Sequence, residues 1–133
     1  MSLSDAAWQQ LISALHASLR KAALAITGGG SGAVGELLRV PGGSRLLIEA
    51  QVPYDALALS AFLGFAPEQA CSSDTAIAMA RSVRARAARL VPAGTDLVGL
   101  GATAALVSDR RAGASIDFTS HSPTPPASRT ALA

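Results

Sequence analysis

A run of glycines at the end of an apolar segment limits this chain more than anything else in it. Ala23-Leu24-Ala25-Ile26-Thr27 has the length of a buried strand and breaks off in Gly28-Gly29-Gly30-Ser31-Gly32. A short helix is expected next, near Ala33 to Arg39, stopped by Pro41-Gly42-Gly43. Glycine reaches positive φ without a Cβ penalty and lets backbone N–H groups come close to a ligand. Ahead of a helix N-terminus, such a loop suits a phosphate or a carboxylate. The plainer alternative is a tight strand-to-helix turn that holds nothing. On the ligand reading, Gly28, Gly29, Gly30 and Gly32 bring backbone to the ligand, while Thr27 and Ser31 supply hydroxyls that could act as nucleophiles.

Two familiar phosphate motifs fit this loop poorly. A P-loop needs Gly-Lys-Ser/Thr, and no lysine follows; Lys21 is the only lysine in the chain. Gly30-Ser31-Gly32-Ala33-Val34-Gly35 reads formally as G-x-G-x-x-G, and Glu49 stands 19 residues after Gly30, near the end of the next expected strand. Pro41, however, stops the intervening helix within about ten residues, which is short for a dinucleotide-binding crossover.

The remaining segments alternate between helix and strand. Trp8, Leu11, Ile12, Leu15 and Leu19 share one helical face in a helix from about Ser4 to Arg20, capped by Ser4 or Asp5. Arg45 to Val52 reads as a strand and Tyr54 to Leu63 as a helix ended by Gly64. Ser72 or Ser73 caps the longest helix, about Asp74 to Val91, with Ala76, Met79, Ala80, Val83, Ala87 and Leu90 inward and Arg81, Arg84, Arg86 and Arg89 outward. Leu97 to Val107 is a third strand interrupted by Gly99 and Gly101; after a turn at Asp109 to Gly113, Ser115 to Thr119 is a fourth. Ser122 to Ala133 holds three prolines and no periodicity and is read as a tail, so the domain runs from 1 to 121. Alternating elements of this kind make an α/β fold: a three-layer α/β/α sandwich with a central, mostly parallel or mixed sheet.

Composition excludes several function classes. Of 133 residues, 50% are hydrophobic and 15% charged, enough for one core. A net charge of +2 without a basic, aromatic-laced stripe argues against nucleic acid. No apolar run reaches 18 residues, so no membrane span is expected, and Met1 to Trp8 lacks the pattern of a signal peptide. The single cysteine, Cys71, permits no internal disulfide and is read as a small core side chain in a reducing, cytoplasmic setting. No Cys/His/Asp/Glu grouping has metal-ligand spacing, so neither metal nor cofactor is expected.

Five short blocks occur in order: Thr27-Gly-Gly-Gly-Ser-Gly; Val40-Pro41-Gly42-Gly43-Ser44; Val52-Pro53-Tyr54; Leu63-Gly64; and Ser72-Ser73-Asp74-Thr75-Ala76 with Met79-Ala80. Their order and spacing, over about residues 8 to 120, resemble the C-terminal domain family of CinA, a nicotinamide-mononucleotide deamidase family. That family carries a Ser-Cys-Thr-Gly-Gly loop, a Val-Pro-Gly-Ser-Ser turn, a Tyr-Ser-Asn-Glu-Ala-Lys helix start ending in Leu-Gly, then a Val-Ser and a Thr-Ala helix. The resemblance implies an α/β/α domain that hydrolyses a carboxamide, with the loop serine as nucleophile and the lysine as its partner.

Carried over residue by residue, the serine falls on Thr27, the loop cysteine on Gly28, the tyrosine on Tyr54 and the lysine on Leu59. Threonine can act as a nucleophile, but leucine can neither accept nor hold a proton. The family's Thr-Gly block after the third strand becomes Gly101-Ala102-Thr103-Ala104, which adds Gly101 and Thr103 to the expected ligand pocket beside Tyr54. His16 and His121 are read as solvated, and Ser72 as a helix cap. The expected function is a CinA-like domain that binds a nucleotide-like or phosphate-bearing small molecule with its amidase activity degraded or absent. The alternatives are an active amidohydrolase using Thr27 or Ser31, and a non-enzymatic interaction domain. The family's closing helix has no counterpart before the proline-rich stretch, so exposed apolar surface is expected to be buried in a homo-oligomer.

Overall fold

The structure, a computed structural model, describes residues 4–104 and 118–121. The expected turn at Asp109 to Gly113 and the tail from Ser122 lie outside the described residues. The element order is α1 Asp5–His16, β1 Lys21–Gly28, α2 Gly32–Arg39, a single 3-10 turn Gly43–Arg45, β2 Leu47–Gln51, α3 Ala56–Leu63, α4 Ser73–Ala88, β3 Leu97–Ala104 and β4 Phe118–His121. β4 overlaps only the end of the strand expected at Ser115 to Thr119.

The four strands form one mixed sheet in the order β2-β1-β3-β4. β1 pairs in parallel with both β2 and β3, and β4 closes the far edge antiparallel to β3. A central strand with parallel neighbours is covered on both faces, so it reads as continuously apolar rather than alternating. That is the run Ala23 to Thr27, buried throughout. Ala23 and Ala25 face Leu59 of α3 and Met79, Val83 and Ala87 of α4. Leu24 and Ile26 face the other way, against Val34 and Leu37 of α2. Helices therefore cover both faces of the sheet, in the three-layer α/β/α arrangement.

The two faces are packed differently. On the α4 face the strands carry alanine and glycine, and a Cβ on Gly99 or Gly101 would run into the Ala80 or Ala76 carbonyl oxygen. These strand glycines let α4 lie directly on the sheet. Met79 and Val83 are then wholly buried, each contributing roughly 1.5–3 kcal/mol of apolar burial. Caps hold the helix ends: Ser72 Oγ accepts from Thr75 N at 3.1 Å, and Asp55 Oδ2 accepts from Leu57 N at 2.9 Å and Ala58 N at 3.4 Å. On the outer side of α2, Arg39 Nη2 donates to Glu36 Oε2 at 2.8 Å, and the bond raises the guanidinium above its ordinary value.

α1 departs from its expected arrangement. It ends at His16, four residues short of Arg20, and Leu19 sits at φ 62° with 91% of its surface exposed. The buried residues are Ile12 and His16, one helical turn apart, while Trp8, Leu11 and Leu15 remain 38–46% exposed. His16, expected in solvent, is 2% exposed. The reason is tertiary: its Nδ1 lies 3.2 Å from the Pro41 carbonyl oxygen, which ties α1 to the turn after α2. The neighbouring turn thus selects which stripe of α1 faces inward.

Candidate functional site

The loops that leave β1 and β2 cross to opposite faces of the sheet, and a cavity of about 520 Å³ opens at the carboxyl end of β1. Its floor comes from register. Thr27 pairs with Thr103 across β1 and β3, on the same face as Ala25 and Gly101. Thr27 Oγ1 donates to Thr103 Oγ1 at 3.0 Å, and Thr103 Oγ1 donates to the Ala70 carbonyl oxygen at 2.8 Å. Both threonines are buried, with 7% and 2% exposure. The chain of hydroxyls therefore ends on a neutral carbonyl in the α3–α4 connection, not on a base.

Leu59, 2% exposed, projects from α3 into the wall of the same cavity. Cys71 lines it from the α3–α4 connection and Tyr54, two-thirds exposed, stands at its mouth. Among the described residues Asp55 is the one carboxylate in the lining, and its Oδ2 is committed to the α3 cap. No described lysine or arginine lines the cavity. At Gly28 φ is 76°, and a Cβ there would strike the Ala104 carbonyl oxygen, so the end of β1 passes β3 too closely for any other residue.

The structure brings together Thr27, Gly28, Tyr54 and Thr103 of the expected site residues, and adds Leu59. It sets the others elsewhere. Gly29, Gly30, Ser31 and Gly32 carry the chain away toward α2, outside the cavity lining. Ser31 is exposed and makes no side-chain cap bond. Gly30 has φ 105°, and Ala33 N and Val34 N already donate to the Gly30 and Ser31 carbonyls at 3.0 and 3.2 Å. Gly101 lies beneath α4, in contact with helix backbone. Ala70, Cys71 and Asp55 were not singled out as site residues from sequence. Ala70 enters through its backbone carbonyl, which leaves no side-chain signal, and Asp55 through its capping position. Among the described residues, no group of three metal-ligating side chains gathers anywhere, and no helix is long and apolar enough to cross a membrane.

No protein-family model matches the chain, and no curated protein sequence matches it. Three solved structures are similar in fold. A competence-damaged protein (CinA) superfamily protein from Enterobacter cloacae superposes with a TM-score of 0.62 at 17% identity, covering 95% of this chain and 81% of that one. The competence/damage inducible protein CihA from Agrobacterium tumefaciens gives 0.61 at 17% identity, covering 92% and 83%. A CinA superfamily protein from Escherichia coli gives 0.59 at 14% identity, covering 99% and 87%. The chain therefore has a CinA-like α/β fold.

Proposed function

We propose that this CinA-like domain binds a nucleotide-like small molecule at the carboxyl end of β1, and that the amidase chemistry of the family it resembles is absent. The observation that carries this reading is the pairing of Thr27 with Leu59 in one cavity. A hydroxyl attacks a carboxamide only when a neighbouring base takes its proton. Here the Thr27 proton points at Thr103, whose own proton points at the Ala70 carbonyl, and a buried leucine stands where the resemblance puts the lysine. What the cavity offers is recognition: two fixed hydroxyls, an aromatic ring at the mouth and an apolar wall suit a heteroaromatic ring with a polar substituent.

The test is ammonia release from nicotinamide mononucleotide, run beside thermal-shift titrations with nicotinamide mononucleotide and nicotinic acid mononucleotide. The expected result is no turnover with saturable stabilisation, which follows from ligand binding to the folded state. Turnover abolished by Thr27→Ala or Ser31→Ala would replace this reading with an active amidohydrolase. Neither turnover nor stabilisation would leave an interaction domain. Self-association belongs to the same proposal, supported by the exposed row Trp8, Leu11 and Leu15 on α1. Sedimentation at monomer mass over a wide concentration range would remove it.

A further inference from the structure

At the opposite end of β1 a second cavity, about 440 Å³, opens between the end of α1, the loop at Leu19 and the 3-10 turn. His16, Leu19, Lys21 and Arg45 line it, and no described carboxylate does. We propose that it is an oxyanion site that takes a phosphate group, with Lys21 and Arg45 as the side chains that hold it.

Arg20, Arg39 and Arg86 each reach a carboxylate, on Asp96, Glu36 and Glu49, at 3.1, 2.8 and 2.6 Å. Arg45 makes no ion pair or side-chain hydrogen bond with any described residue, and Lys21 Nζ donates only to the neutral Ser44 carbonyl, at 2.9 Å. Arg81 and Arg84 of α4 and Arg89 at its end also reach no described carboxylate, but here two unpaired cations share one cavity. Two cations at one cavity without a counter-charge repel each other, and an anion between them removes that repulsion. Their positions are constrained. Lys21 opens β1, with its backbone N–H bonded to Asp96 O at 2.8 Å. The Arg45 guanidinium lies folded over Gly42, where a Cβ would collide with Nη2 and stand 3.2 Å from His16 Nδ1. A guanidinium laid against a turn presents its fork with less freedom to lose, which favours bidentate capture of a phosphate.

Two further features belong to the same wall. His16 Nδ1 donates to Pro41 O, and Nε2 is buried with no hydrogen-bond partner among the described residues. Its buried Nε2 offers an anion no accessible donor, so His16 shapes this wall and leaves the anion to Lys21 and Arg45. Leu19, in the lining loop, holds a left-handed backbone conformation disfavoured for a branched side chain. Such outliers concentrate at binding sites.

The test titrates the full chain with inorganic phosphate at fixed ionic strength and follows backbone amide shifts by NMR. Saturable shifts at Leu19, Lys21 and Arg45 are expected. Affinity should fall roughly tenfold in Arg45→Gln and in Lys21→Gln, the loss of one charge-assisted hydrogen bond. It should stay unchanged in Arg81→Gln, which removes the same charge from an exposed position on α4. A parallel titration with glycerol phosphate distinguishes the source: tighter binding than inorganic phosphate indicates a phosphorylated small molecule, equal binding the free ion, and either supports the site. Acetate should bind far more weakly. Shifts that do not saturate, affinity indifferent to Arg45→Gln, or saturable shifts confined to residues 29–32 would overturn the assignment.

Discussion

The two ends of β1 lie roughly 25 Å apart, at about 3.3 Å per strand residue, and their chemistry is opposite. The carboxyl end has no described cation and its carboxylate, Asp55, caps α3: Thr27 donates to Thr103, Thr103 to a carbonyl, and Leu59 fills the wall. The amino end is cationic, with Lys21 and Arg45 on one cavity and no carboxylate for either among the described residues. In a parallel sheet, topology makes the crevice at the carboxyl end, because the crossovers diverge there. Topology does not supply reactivity. The comparison teaches that the place a fold offers for a ligand and the place where charge collects are set by different things: strand connectivity in the first case, and which side chains lack counter-ions in the second.

The contrast can be broken hardest at Gly101. If it serves a ligand, Gly101→Val should fold normally and lose only ligand stabilisation. The contact with α4 instead predicts a loss of roughly 3 kcal/mol or more without any ligand, read by chemical denaturation, because overpacking against helix backbone has no flexible atom to move. Thr103→Val sharpens the carboxyl end. It keeps the shape but orphans the Thr27 hydroxyl and the Ala70 carbonyl, and should cost about 1–3 kcal/mol in the same assay. A value near zero would mean that the hydroxyl chain does not hold the α3–α4 connection to the sheet.

Smaller effects test the cationic end. His16→Leu removes the bond to Pro41 and also the orphaned Nε2, so the two changes should nearly cancel, within about 1 kcal/mol. A much larger loss would show that the imidazole tie, rather than apolar contact, holds α1. Leu19→Gly should raise stability by roughly 0.5–1 kcal/mol, since it relieves the positive φ at a side chain that buries almost nothing. A loss instead would mean that the Leu19 side chain is needed where it lines the cationic cavity.

Much of the site was legible because it sits at element boundaries. Ala23 to Thr27 ending in glycine placed Thr27 at a strand terminus, Tyr54 followed a strand and Thr103 lay near the end of another. Strand termini at one sheet edge converge whatever the packing. Gly101 shows where that logic stops: one strand face turns toward a cavity at Thr103 and lies under a helix two residues earlier. The glycine loop shows it again, since only Gly28 stays at the cavity while the rest of the run follows α2 to the opposite face.

By itself the sequence determined the alternation of helices and strands, the buried central strand and the strand–glycine–helix unit. Each follows from local periodicity and the backbone freedom of single residues, which neighbours along the chain settle. Tertiary structure alone decided that Ile12 and His16, not Trp8 and Leu15, form the inner face of α1, that Gly99 and Gly101 exist for α4, and that Arg45 folds over Gly42 and shares a cavity with Lys21. These outcomes depend on which surfaces meet across long separations in the chain. Burial and counter-charge are properties of those meetings, and no local pattern encodes them.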